Sequence, residues 1–174
     1  MPLVRWGILI ALISVWYLGQ KGLPITKPQN SCNFVQNVER QRVSWKKEIP
    51  VHLNVHKSFP QEARAALSSA MNMYTTVLGK QMFVIDDWSD SGAKTPQKDN
   101  VSSIYWLKQW EPTRAQEQAR TTLYWNGDQI YEADIRINAA NFGFILNSLG
   151  TTSSIDLESL LIHELGHVLG LTHD

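Results

Sequence analysis

The chain has 174 residues, 43% of them apolar, enough for one domain with a proper core. Sixteen Lys and Arg balance sixteen Asp and Glu, and without a clustered basic excess there is no electrostatic footprint for nucleic acid. Cys32 is the only cysteine, so no disulfide closes within these residues.

At the N terminus, Arg5 precedes an uncharged run from Trp6 to Leu18. A run of that length suits the apolar region of a signal peptide better than a full membrane span. Tyr17-Leu18-Gly19-Gln20 offers no A-x-A cleavage pattern. An uncleaved anchor over residues 3–18, with Arg5 snorkelling, therefore stands beside a signal peptide over residues 1–22. Either way the remainder is expected to be exported, secreted or held at the outer face of a membrane. Residues 23–43 are polar and punctuated by Pro24 and Pro28, which predicts a linker or a loosely packed lead-in. Cys32, within it, reads as a free thiol or the partner of a cysteine outside these residues. The folded domain is expected from residue 44, as a monomer.

Residues 50–56 alternate apolar with polar, the period of a half-buried strand. His52 and His56 share a face there, but four strand residues separate them by about 13 Å, so they cannot share one metal ion. Both read as exposed strand histidines. Ser58, Pro60 and Gln61 mark a helix start, with Ser58 capping and Gln61 reaching back. The helix runs to Leu78 and ends at Gly79. Its Ala63, Ala66, Leu67, Ala70, Met73, Tyr74 and Val77 recur at spacings of three and four, which predicts one apolar face packed on a sheet.

Met82 to Ile85 reads as a short strand, followed by a polar loop over residues 86–100. Asp86, Asp87, Asp90 and Asp99 offer oxygen ligands for a structural calcium ion, but their spacing fits no calcium loop, and a solvated loop is the expectation. Residues 101–107 read as an interior strand and residues 108–120, with Pro112, as a connection. Thr121 to Trp125 and Ile130 to Ile137 flank Asn126-Gly127, the strongest short hairpin signal. Residues 138–154 then lead to a last helix, with Ser153 and Asp156 as a capping pair and Asp156 and Glu158 at its positive end. Leu157, Leu160, Leu161, Leu165, Val168 and Leu169 cover most of that helix, so only the side bearing His163, Glu164 and His167 is expected to open onto a cleft.

That helix carries the chemistry. Histidines at i and i+4 lie one turn apart on one face, so His163 and His167 can reach a single metal ion. Glu164 beside them can take a proton from a water that the metal has activated. Gly170 lets the chain leave the helix and turn back, which brings His173 round as a third ligand and keeps a fourth zinc position open for chemistry. Five fixed positions of this kind arise by chance in about one chain of this length in a hundred thousand, whereas a bare HExxH is weak evidence.

The run HELGHVLGLTHD resembles the HExxHxxGxxH signature of the metzincin metalloproteases, and its Gly170-Leu171-Thr172-His173 stretch is most similar to the matrixin branch. Asp174 departs from it, since matrixins usually have Ser there and Asp is the adamalysin habit. The resemblance covers residues 44–174 and is most specific over the last twelve. It implies an α+β fold: a twisted, mostly parallel five-stranded sheet with an antiparallel edge strand, a backing helix and a zinc-binding active-site helix. It also implies Thr121, Thr122, Leu123, Tyr124 and Trp125 as the edge strand that binds extended peptide through its main chain, and structural calcium as in matrixins. An ordinary sheet edge is the other reading of that hairpin. Asn30-Ser31-Cys32-Asn33-Phe34 does not match the matrixin cysteine switch.

Two functions stand open. The first is a zinc endopeptidase in which His163, His167 and His173 hold the metal and Glu164 is the general base. The second is a domain that binds zinc or peptide without turnover, because metzincins continue past this point into a Met-turn and a C-terminal subdomain. The domain is accordingly read as C-terminally incomplete.

Overall fold

Val51, Leu53 and Val55 point to one side of the first strand, β1 (Val51–His56), and are fully buried, as their alternation with polar neighbours predicts. The computed structural model describes residues 33–46, 49–93, 95–146 and 155–173. All belong to the second of two units into which the chain divides, Cys32–Asp174. The expectations for residues 1–22, Cys32, Ser153 and Asp174 lie outside the described residues. No helix among the described residues is long and apolar enough to cross a membrane.

After β1 come α1 (Arg64–Leu78), β2 (Phe83–Asp90), β3 (Ser103–Leu107), β4 (Ala119–Asn126) and β5 (Gln129–Asn138). They form one sheet in the order β2-β1-β3-β5-β4. All neighbours are parallel except β4, which runs antiparallel to β5 at the edge. A two-stranded parallel pair, β6 (Phe144–Ile145) and β7 (Ile155–Asp156), precedes α2 (Leu157–Val168). The fold is thus mixed α and β, with a mostly parallel five-stranded sheet and two helices, as expected at that level. The core joins Val51, Leu53, Ile104 and Ile135 of the sheet to Leu67 of α1 and Leu161 of α2.

Several expectations are corrected. Ser58 does not cap α1, which follows a 3-10 turn at Gln61–Ala63 with no side-chain cap. Its hydroxyl is taken up between strands, 2.8 Å from His56 Nδ1 and accepting the Trp106 N–H at 3.1 Å. His56 is therefore buried rather than exposed, while His52 stays exposed with its Nδ1 2.8 Å from Asp86. The apolar face of α1 is buried only over its first half. Ala63, Ala66, Leu67 and Ala70 enter the core, whereas Met73 and Val77 are 45% and 71% exposed beside a hollow that no side chain fills. Gly79, at φ +64, closes the helix.

Strand β2 runs five residues past Ile85, because an edge strand tolerates the polar Asp86–Asp90 stretch on its open side. The hairpin loop is Gly127-Asp128, one residue later than the Asn126-Gly127 signal suggests, since Asn126 already pairs with Gln129. The lead-in is not loose over residues 33–43. Val43 is fully buried, and Phe34, Gln36, Arg42 and Ser44 make bridges that tie this strap to itself, to Gln129 and to Leu171.

Candidate metal centre

The helix that carries the histidines is fixed at both ends and along its back. Asp156 is its N-cap, accepting the Ser159 N–H at 2.7 Å, and the same bonds to Ser159 hold the Asp156 carboxyl below the ordinary range. Along the back, Tyr74 Oη donates to the Ile162 carbonyl at 2.8 Å, and burial pushes that phenol up. Gly166 makes the approach possible, because a Cβ there would stand 3.0 Å from the same hydroxyl. At the C terminus, Gly170 N–H bonds to His167 O at 2.8 Å and Leu171 N–H to Gly166 O at 3.1 Å. That pair of bonds is a Schellman turn, with Gly170 in the left-handed region at φ +89. The strap holds the turn from outside: Val35 N–H reaches Gly170 O and Thr172 N–H reaches Asn33 O, both at 2.9 Å.

The turn returns His173 to the helix face. The three Nε2 atoms stand 2.8 Å (His163 to His173), 3.0 Å (His163 to His167) and 3.1 Å (His167 to His173) apart. Four-coordinate binding at about 2.0–2.1 Å per nitrogen sets ligand atoms about 3.3 Å apart, so the triangle is smaller than such a set by about half an ångström or less. His167 Nδ1 lies 2.7 Å from Leu171 O. Donation to that carbonyl leaves the lone pair on Nε2, aimed at the centre of the triangle. Burial first, then the neighbouring His167, lowers the His163 pKa and favours the neutral, ligating imidazole. These three residues can hold a metal ion.

Glu164 projects beside the triangle and is only 4% exposed. Thr121 Oγ1 donates to its Oε2 at 2.6 Å. The cleft opens on both sides, one arm of about 480 Å³ bordered by Thr121, Leu123, Trp125 and His167 and another of about 500 Å³ bordered by Gln118, Ala119, Ser159 and His163. Glu164 and His173 border both arms. The structure thus brings His163, Glu164, His167 and His173 together, and it gathers Thr121, Leu123 and Trp125 to them. Thr122 and Tyr124 alternate to the far side of β4. Tyr124 lies among buried acids there, and burial followed by Asp134 and Glu132 raises its pKa.

The four aspartates do not assemble. Asp86 faces His52, and Asp87, Asp90 and Asp99 accept the N–H groups of Ser89, Gly92 and Val101 two residues on. A histidine partner and three local turns therefore account for their side chains, and among the described residues the three histidines are the group gathered closely enough to hold a metal. A hollow of about 550 Å³ between α1, the strap and the back of α2 is larger than either arm of the cleft, but its walls, among them Phe34, Met73, Val77 and Ile162, are mostly apolar and include no His, Cys, Asp or Glu. Sequence reasoning missed the Thr121 hydroxyl, the Leu171 carbonyl and the strap. A lone threonine and a main-chain oxygen have no pattern that signals such roles.

No protein-family model matches the chain, and no curated protein matches it.

Proposed function

We propose that this chain is a zinc-dependent metalloendopeptidase of the metzincin type, exported as its N-terminal sequence suggests and acting on peptide or protein substrates. The observation that carries this reading is the convergence of three Nε2 atoms, 2.8 to 3.1 Å apart, directly beside the buried carboxylate of Glu164. Three imidazole nitrogens converging on one point beside an open cleft suit zinc. Zinc, when bound, acidifies a water and polarises the carbonyl to be attacked.

The protein's own groups supply the rest. The His167–Leu171 contact and the Schellman turn keep the nitrogens in place. Edge strand β4 offers its unpaired side to an extended peptide, which would lie along both arms of the cleft as an added strand. Glu164 takes a proton from the attacking water and gives it to the nitrogen of the departing amine, so one carboxylate serves as base and then acid.

The test is Glu164→Gln, which keeps the shape of the side chain and removes its basicity. The zinc-loaded protein should cleave unstructured peptides, and the variant should retain zinc while losing roughly 10²- to 10⁴-fold in rate. Cleavage by zinc-loaded E164Q at the parental rate would overturn the mechanism. Absence of cleavage by the parent across a diverse peptide library would overturn the function.

A further inference from the structure

The cleft-facing stripe of β4 reads Ala119, Thr121, Leu123 and Trp125. A single hydroxyl interrupts it, and that hydroxyl stands opposite Glu164. Thr121 Oγ1 is 2.6 Å from Glu164 Oε2 and 3.3 Å from the Glu164 main-chain carbonyl. The shorter distance is that of a close hydroxyl-to-carboxyl hydrogen bond, and the longer one is at the limit of such a contact. The strand fixes the donor twice over. Thr121 pairs with Ile135 in the interior of the β4–β5 ladder, and a β-branched side chain has little freedom at χ1.

We propose that Thr121 is a positioning residue for Glu164, a role that rests on the proteolytic reading above and is separate from any main-chain contact to substrate. A glutamate has three side-chain torsions, and a carboxylate free to turn spends little time with one oxygen where an attacking water needs it. Tying Oε2 to Thr121 fixes the plane of the group. Among the described residues nothing bonds Oε1, so that oxygen is left for the proton transfer, in the cleft that Glu164 borders on both sides. Main-chain pairing with a peptide would be available from any residue at position 121. The hydroxyl is needed only by Glu164.

Two variants separate the hydroxyl from the shape. Thr121→Val keeps the branch and replaces the hydroxyl by a methyl group, and Thr121→Ser keeps the hydroxyl. On a peptide that the zinc-loaded parent cleaves, T121V should lower kcat by about tenfold to a hundredfold with KM within about threefold, while T121S should stay within about threefold of the parent in kcat. Zinc content should be the same in all three. A second readout needs neither zinc nor turnover: the carboxyl ¹³C resonance of Glu164 in metal-free protein labelled at glutamate, assigned by its loss in E164Q. It should move in T121V and return in T121S. An unchanged kcat with an unmoved resonance in T121V would overturn the assignment, and so would equal losses in T121V and T121S. If the parent cleaves nothing, the proteolytic reading falls, and the resonance alone decides whether Thr121 holds the carboxylate.

Discussion

Gly170 meets two separate constraints. Its φ of +89 lies where a side chain strains the backbone, and a Cβ there would stand 2.9 Å from the carbonyl oxygen of buried Val43. Gly170→Ala should therefore destabilise the fold by about 1–3 kcal/mol. It should also weaken zinc binding, because the same turn delivers both His173 and the Leu171 carbonyl that orients His167. Urea unfolding and competition with a chelator check the two effects, and an unshifted unfolding midpoint would mean that Val43 yields at no cost. Half of this constraint is legible in the sequence, since a glycine three residues past the second histidine announces the turn. The other half is not, because Val43 lies 127 residues away in a stretch without periodicity. His56 shows the same limit. Alternation put it on a polar face, but the Ser58 hydroxyl and the Ser58 N–H, 3.1 Å from its Nδ1, hold one ring nitrogen in place, and the ring is buried although its Nε2 finds no partner among the described residues.

The strap over residues 33–46 is the least legible element. It holds by single bridges rather than by a ladder, so no period of two marks it. It nevertheless bonds to the histidine turn at Gly170 and Thr172, and the Trp45 indole N–H reaches the Val168 carbonyl at 2.8 Å, satisfying one of the carbonyls that the end of α2 leaves open. Val35→Pro removes the donor to Gly170 O without touching the histidines. The variant should keep its far-ultraviolet circular dichroism while zinc affinity falls roughly tenfold, the scale of a lost support behind a metal ligand. Unaltered affinity would show that the Schellman turn alone sets the site. The strongly periodic elements were legible: β1, most of α1, β3, the hairpin and α2. Those misread follow from context. Asp86–Asp90 reads as loop by composition and is strand because it lies on an edge, and Met73 and Val77 continue an apolar stripe past the point where the core ends.

At the scale of the folded unit, the five-stranded sheet separates two unlike layers among the described residues. One face carries the apolar core and the helix that presents the histidines. The other buries Glu132 and Asp134, which alternate with Ala133 and Ile135 along β5 and are wholly inaccessible. They serve the chain entering β3: Asn100 N–H donates to Glu132 at 2.6 Å and Ser103 N–H to Asp134 at 3.0 Å. Asp134 Oδ2 and Glu132 Oε1 have no partner among the described residues. Burial outweighs those bonds and pushes Asp134 up to about 7, and burial raises Glu132 as well. An acid whose pKa is higher folded than unfolded binds more protons in the folded state, so stability falls as pH rises between the two values, here from about 4 to about 7. The full swing is on the order of a few kcal/mol. Asp156, whose pKa is lowered, works in the opposite direction at acidic pH, so a window from about pH 5.5 to 8 lies clear of it, and the contributions of Glu132, His56 and His163 within that window are common to the parent and an Asp134 variant. Asp134→Asn keeps the acceptor for Ser103 and cannot ionise. The difference in urea midpoint between D134N and the parent should therefore move in favour of D134N as pH rises through that window. A difference independent of pH would show that Asp134 ionises as freely in the folded protein as in the unfolded chain, and that the far face of the sheet is wetter than its packing implies.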